Sequence, residues 1–204
     1  MRQLEAWNAL AAKYPWPDSR PNDITDELVP TGWMTDGVRE AHRKVVPGLQ
    51  VGIELGTWRG DSALHMLSLN DELHLVCIDH FNGSTEHNSV LSRIDDGRLL
   101  ASARHRLWEF RNRVIIITNN TIEGMEEVHL SSLVPEMIYV DAGHSDSAPL
   151  ADILMASLRW PGSVVFGDDY ATSWPNVARA VHIAASLLSR TVTQIGEAWM
   201  LCRA

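Results

Sequence analysis

The stretch that decides the fold is residues 51–67, VGIELGTWRGDSALHML. Its first five residues are apolar enough to predict a strand, and residues 61–69 are typical of a helix. Gly56 and Gly60 lie between them, where glycine lets the chain turn tightly and approach a bound group beside the free N–H groups of the helix. The turn lacks the three-glycine spacing of dinucleotide folds, which favours a ligand that needs only close backbone approach. The alternative is that this turn only connects the strand to the helix and binds no ligand.

Strand-like and helix-like segments alternate through the rest of the chain. Further strands are predicted at residues 73–78, 114–118, 137–140 and 164–166. Helices are predicted in the second half of residues 84–110 and at residues 122–129, 148–158 and 177–188. Residues 191–195 and 199–202 flank a short turn and predict a hairpin. This order predicts a Rossmann-like, doubly wound α/β sheet, mostly parallel with a C-terminal antiparallel hairpin.

Residues 1–47 contain no motif that points to a function. A short helix is predicted over residues 1–13, followed by a proline-rich stretch, and Thr35 with Asp36 is expected to cap a second helix that ends near Val46. We expect this segment to pack on a single domain formed by residues 48–204. The segment would also suit a contact between subunits of a homo-oligomer.

Polar residues follow the first three predicted strands. Asp79 ends the second strand about 20 residues beyond the glycine turn, where an acid can accept both hydroxyls of a ribose. The alternative is that the Asp79 side chain only caps the segment that follows it, by accepting hydrogen bonds from its backbone. Glu54 lies near the end of the first strand and would bind a cationic amine or order the loop. Asn120 follows the third strand and would contact an adenine or cap a helix.

Three carboxylates, those of Asp141, Asp168 and Asp169, follow the last two predicted parallel strands. If these strands are neighbours, three negative charges converge at one edge of the sheet and repel each other unless a cation lies among them. Hard oxygen ligands without a nearby cysteine suit Mg²⁺ or Mn²⁺. The alternative is that Asp168 or Asp169 caps a helix beginning near Trp174, while Asp141 orders a loop.

The composition narrows the classes of partner. A formal net charge of −9 argues against nucleic acid and anionic membranes, because both require a basic surface. The N-terminus lacks a signal-peptide core and no apolar run is long enough to span a bilayer, which predicts a cytoplasmic protein. Cys77 and Cys202 lie in strand-like runs and are expected to be core thiols. Lys13 and Lys44 are the only lysines among 17 basic residues.

Four segments resemble class I S-adenosylmethionine-dependent methyltransferases. They are residues 54–62, 78–79, 139–145 and 165–170, with the sequences ELGTWRGDS, ID, YVDAGHS and VFGDDY. Within that class the chain is similar to the metal-dependent O-methyltransferases that act on antibiotic sugars and phenols, and to cephalosporin-hydroxylase-like proteins. The resemblance covers residues 48–204, and the pairing of Asp-x-x-His with Gly-Asp-Asp-Tyr is its more specific part.

The resemblance implies two bound groups, S-adenosylmethionine and a divalent cation, Mg²⁺ or Mn²⁺. The implied cofactor-binding residues are Glu54, Gly56, Thr57, Gly60, Ser62, Asp79 and Asn120. The implied metal ligands are Asp141, Asp168 and Asp169, with Asp141 also counted as catalytic beside His144. A lysine is the base in catechol-type relatives, but no lysine follows residue 44 here.

His144 matches a histidine that acts as the base in some sugar O-methyltransferases. Its ordinary pKa of ~6.5 suits proton abstraction at neutral pH. A fourth metal ligand or a helix cap are the alternatives for this residue.

These residues predict a divalent-metal-dependent O-methyltransferase that methylates a hydroxyl of a small-molecule sugar or phenol. A vicinal diol is favoured, because chelation of both oxygens would use the open metal positions. A rival prediction is a cofactor-binding accessory or cephalosporin-hydroxylase-like protein without methyl transfer. A dinucleotide-dependent oxidoreductase is disfavoured by the missing third glycine.

Overall fold

The computed structural model of the chain describes residues 2–22, 33–84, 86, 97–145 and 147–203. Seven strands form one sheet in the order β3-β2-β1-β4-β5-β7-β6. The strands are β1 Val51–Leu55, β2 His74–Asp79, β3 Val114–Thr118, β4 Met137–Val140, β5 Val164–Gly167, β6 Arg190–Ile195 and β7 Ala198–Arg203. Strands β1 to β5 are parallel to one another, whereas β7 is antiparallel to both β5 and β6. The predicted fold class is therefore confirmed.

Seven α-helices accompany the sheet within the described residues. They are α1 Arg2–Ala11, α2 Asp36–Val45, α3 Asp61–Leu69, α4 Arg98–Arg106, α5 Thr121–Leu130, α6 Ala148–Arg159 and α7 Pro175–Leu187. A 3-10 helix over Trp108–Arg113 connects α4 to β3. The predicted cap of α2 forms, since the Thr35 side chain accepts a hydrogen bond from the Val38 amide.

Two apolar layers cover the two faces of the sheet. The β1 residues Val51, Ile53 and Leu55 belong to the layer that α1, α5, α6 and α7 complete. Helices α2, α3 and α4 pack on the opposite face. A parallel sheet covered on both sides needs continuous apolar strands, and all five residues of β1 are indeed buried.

The two cysteines of the chain are free thiols, as predicted. Cys77 is buried in β2, but Cys202 on β7 is only half-buried and is not the core thiol that was expected; it pairs with Thr191 of the edge strand β6. Among the residues that the structure describes, none of the helices combines the length and the apolar character that a membrane crossing requires.

Candidate active site

A cavity of about 970 Å³ opens at the carboxyl ends of the parallel strands. Nine of the residues predicted as functional line it: Gly56, Thr57, Ser62, Asp79, Asn120, Asp141, His144, Asp168 and Asp169. Glu54 and Gly60 do not line it. The structure thus brings the three predicted metal ligands and five of the seven predicted cofactor residues together in one site, at the sheet edge where open α/β folds bind ligands.

Gly56 brings the glycine turn after β1 into contact with the start of the acidic cluster after β4. Its φ is +84°, and its amide donates to the Ile78 carbonyl at 2.9 Å. A Cβ atom at this position would lie 1.8 Å from the carbonyl oxygen of Asp141. Only glycine lets the turn after β1 press this closely against the first residue beyond β4, so the glycine turn and the acidic cluster share a backbone contact.

Asp79 braces the glycine turn. Its Oδ2 accepts from the Trp58 amide at 2.8 Å, and its Oδ1 accepts from the Phe81 amide at 2.7 Å. The capping of the following loop, an alternative raised by the sequence, is therefore present. A carboxylate offers about four acceptor sites, so these two bonds leave room for ribose hydroxyls. The ribose contact stays a prediction.

Glu54 is fully buried behind the cavity wall. The Ser62 hydroxyl donates to its Oε1, and burial raises the pKa of Glu54 to about 8. Of the two roles that the sequence left open, the structure supports ordering of the loop. Glu54 does not line the cavity, so its contact with a cofactor amine stays a prediction. Ser62 lines the cavity, but its hydroxyl is engaged by Glu54.

Two other predicted cofactor residues have local structural roles. Asn120 is the N-cap of α5, since its side-chain oxygen accepts from the Glu123 amide at 2.9 Å. It also lines the cavity, so a ligand contact through the rest of its amide stays a prediction. Gly60 precedes α3 in a left-handed conformation and donates its amide to the Thr57 carbonyl at 2.7 Å. It shapes the turn from outside the cavity.

Asp141, His144 and Asp169 form a compact cluster. One ligand atom from each lies within 4.8 Å of the others, an arrangement that could hold a metal ion. His144 Nε2 lies 2.6 Å from Asp169 Oδ2 and 3.9 Å from Asp141 Oδ1. The geometry therefore gathers His144 with two of the predicted ligands, and the role of a metal ligand, left open for His144 by the sequence, fits its position.

Asp168, the third predicted ligand, lies beside this cluster on the cavity wall. Its Oδ1 accepts from the Asp169 amide at 2.7 Å. The helix-cap alternative for Asp168 and Asp169 is wrong, because α7 begins after Trp174 without any side-chain cap. Metal binding by Asp168 stays a prediction.

The carboxylates of Asp141, Asp168 and Asp169 lie close together at this end of the cavity and repel one another. Burial raises the pKa of Asp168 to about 8, and the charges of Asp141 and Asp169 add to the effect. Burial and Asp169 also raise the pKa of Asp141. Burial lowers the pKa of His144, but hydrogen bonds and charges from Asp141 and Asp169 outweigh it and bring the value to about 10. A positive charge is thus favoured among these carboxylates.

The bend that carries Asp168 and Asp169 is braced by the C-terminal hairpin. Asp169 has a φ of +63°, a strained value for a residue with a side chain. The Trp199 indole donates to the Asp168 carbonyl at 2.9 Å, and the Tyr170 amide donates to the Glu197 carbonyl at 2.8 Å. These two bonds on either side of Asp169 hold its carboxylate toward His144.

Glu86 is a site residue that the sequence did not reveal. Its carboxylate accepts from the His144 amide at 3.0 Å and contacts His144 Nδ1 at 2.8 Å. The Trp174 ring stacks on the imidazole with 4.4 Å between ring centres. These contacts fix the ring so that Nε2 faces the acids. No sequence pattern marks Glu86, which lies in a polar stretch 58 residues before His144.

The parallel sheet that ends in a reversed hairpin, with a glycine turn and an acid after its first two strands, defines a class I methyltransferase fold. The sequence agrees: the chain belongs to the methyltransferase domain family, whose model matches residues 53–170. No curated protein matches the chain in sequence.

Solved structures share this fold at low sequence identity. An O-methyltransferase from Bacillus cereus in complex with SAH superposes with a TM-score of 0.58 at 15% identity, over 99% of this chain and 90% of that chain. TomG, an O-methyltransferase from Streptomyces achromogenes involved in tomaymycin synthesis and solved with SAM, gives a TM-score of 0.54 at 15% identity, over 82% and 78%.

Precorrin 8w decarboxylase from Methanobacterium thermoautotrophicum gives a TM-score of 0.58 at 14% identity, over 84% of this chain and 80% of that chain. The predicted class, an S-adenosylmethionine-dependent methyltransferase, agrees with the family and with the fold of these neighbours. At these identities the neighbours establish the fold, and the choice of acceptor has to be argued from the site itself.

Proposed function

We propose that this protein is a divalent-metal-dependent O-methyltransferase that transfers the methyl group of S-adenosylmethionine to a hydroxyl of a small molecule. A vicinal diol on a sugar or a phenol is the favoured acceptor. The observation that carries the proposal is the cluster of Asp141, His144 and Asp169 in the same cavity as the glycine turn.

The residues of the cluster fit a divalent cation. Two carboxylates and one imidazole meet within 4.8 Å, and burial together with like charge raises the pKa of the adjoining Asp168 to about 8. A cation would remove that repulsion. Carboxylate oxygens are the ligands that suit Mg²⁺ and Mn²⁺. Asp141, Asp168 and Asp169 would therefore hold the ion through their carboxylate oxygens, which leaves the imidazole of His144 free to accept a proton.

When bound, a divalent cation lowers the pKa of a hydroxyl and fixes two neighbouring oxygens at its open positions, which is why a diol suits the site. The protein then has to accept one proton. Methyl transfer breaks the sulfur–methyl bond, forms an oxygen–methyl bond and releases the hydroxyl proton, leaving a methyl ether and S-adenosylhomocysteine.

We assign the proton to His144 Nε2, which Glu86 and Trp174 hold toward the cluster. The carboxylates of Asp141 and Asp169, which keep this imidazole protonated, are the groups that would face the cation. With their charge so engaged, these carboxylates hold the imidazolium less strongly, so the pKa of His144 falls from about 10 and Nε2 can accept the proton.

The cofactor would occupy the other half of the cavity. Gly56 and Thr57 supply close backbone approach, and Asp79 offers acceptor sites to the ribose. Because the Gly56 turn presses against Asp141, the donor methyl group and the acceptor hydroxyl would lie in adjoining parts of one cavity. Such positioning is the main contribution that a methyltransferase site can make.

The test is methyl transfer from radiolabelled S-adenosylmethionine to a panel of vicinal diols, with Mg²⁺ or Mn²⁺ and with a chelator. We expect transfer that the chelator abolishes and that added metal restores. Asp141→Asn should lose the metal response, whereas Asp71→Asn, on an exposed position, should keep it. Cofactor binding without transfer to any diol would instead favour an accessory protein.

A further inference from the structure

The cavity wall continues beyond Asp79 to a second, deeper acid. The Asp79 carbonyl accepts from the Asn119 amide at 3.1 Å, and Asn120 and Thr121 follow at the start of α5. The Thr121 hydroxyl then donates to Oδ1 of Asp152 on α6 at 2.6 Å. All five residues line the cavity, so one unbroken strip of wall leads from the predicted ribose acid to Asp152.

Asp152 is an unusual residue for such a wall. It is 3% exposed, yet it faces the cavity, and burial raises its pKa to about 6. In the part of the chain that the structure describes, Thr121 is the one polar partner of its carboxylate. One hydroxyl bond fills a quarter of the acceptor capacity of a carboxylate, and a desolvated carboxylate with open sites favours an N–H donor.

The nucleoside part of the proposed cofactor provides such a donor. The base is attached to the ribose, so a ribose at Asp79 directs its base along the strip of wall toward Thr121 and Asp152. In adenine linked to ribose, the exocyclic amine is the only group that carries N–H. A base with a carbonyl at that position would set oxygen lone pairs against the carboxylate, which is unfavourable.

We propose that Asp152 accepts a hydrogen bond from the exocyclic amine of the adenine and so makes the site selective for an adenosyl cofactor. This inference rests on the proposed function, since it takes S-adenosylmethionine as the ligand. Thr121 positions the carboxylate by holding its other oxygen. The competing explanation is structural: the Thr121–Asp152 bond would only tie α5 to α6.

The test compares two ligands, S-adenosylhomocysteine and its 6-deamino analogue, whose purine lacks the amine but is otherwise unchanged. Titration calorimetry on the wild-type protein should show about 10- to 100-fold weaker binding of the analogue, as expected for a lost hydrogen bond to a charged group. Asp152→Ala should bind both ligands with equal affinity, close to that of the wild type for the analogue. Asp71→Ala should keep the wild-type preference.

The outcomes separate the two proposals. If the wild type binds both ligands equally, or if Asp152→Ala keeps the preference, the inference is overturned while the proposed function stands. If the wild type binds no S-adenosylhomocysteine, the proposed function falls and the inference with it. The wild-type comparison decides the matter even if the variant fails to fold, which its thermal unfolding curve would show.

Discussion

Substitution of Gly56 by alanine tests the central geometric claim, that the glycine turn and the acidic cluster share a backbone contact. The new Cβ would lie 1.8 Å from the Asp141 carbonyl oxygen, whereas ordinary contacts begin at 3.4 Å. The backbone of one partner would have to move by about 1.6 Å, the difference between the two distances. Neither partner is a side chain that could swing aside.

The expected loss of stability has two parts. A left-handed φ costs a residue with a side chain about 1–2 kcal/mol, and overpacking of a tight contact costs about 1–3 kcal/mol more. Gly48→Ala provides the control, because Gly48 has almost the same φ, +82°, but nothing within 4 Å of its Cβ position. We therefore expect Gly56→Ala to lose about 2–5 kcal/mol and Gly48→Ala only about 1–2 kcal/mol.

Equilibrium unfolding in urea measures both variants against the wild type. The shift of the midpoint should be clearly larger for Gly56→Ala, and its affinity for Mn²⁺ should fall as well, because the displaced backbone carries Asp141. Equal midpoints for the two variants would refute the claim that the turn and the end of β4 are in contact.

Two further predictions concern histidines. His144→Ala should lower turnover by ~10²–10⁴ and leave the affinity for S-adenosylhomocysteine unchanged. A parallel loss of Mn²⁺ affinity would show that His144 is a metal ligand instead of the base. Unchanged turnover would remove His144 from the mechanism. Burial lowers the pKa of His42 to about 3 in the folded protein, whereas in the unfolded chain the ordinary pKa is ~6.5. As the pH falls below ~6.5, only the unfolded chain takes up a proton at this residue, which favours unfolding. Stability should be complete above that pH and fall by about 2 kcal/mol toward pH 5, and thermal unfolding of His42→Gln should lack this part of the decline. Parallel declines in the variant and the wild type would contradict the assignment.

The sequence predicted the fold closely because its strands are short apolar runs with sharp polar ends. Residues 51–55, 114–118 and 137–140 were predicted as strands and form β1, β3 and β4 with the same bounds. The ends of the helices were less certain. Helix α7 begins at Pro175, two residues before the predicted start, because proline is favoured in the first turn of a helix. The prediction followed the apolar spacing, which begins only at Val177. Spacing alone does not show such ends.

The site was predictable where a residue follows a parallel strand, since the carboxyl ends of such strands meet at one edge. Asp79, Asp141 and Asp169 line the cavity for this reason. The contact between Glu86 and His144 was not predictable, because the polar stretch of sequence around Glu86 has no periodicity from which its position could be inferred. The burial of Glu54 was not predictable either, because it depends on the central place of β1 in the sheet, which is a property of the strand order.

The hairpin that braces Asp168 and Asp169 has a consequence for the order of assembly. Trp199 follows Asp168 by 31 residues, and both it and Glu197 lie on or beside β7. During synthesis the glycine turn and Asp79 leave the ribosome long before the hairpin does. The two hydrogen bonds that flank the strained Asp169 can therefore form only after the hairpin has been synthesised and has joined β5. The acidic cluster thus takes its final shape only after residues 197–199 have been synthesised.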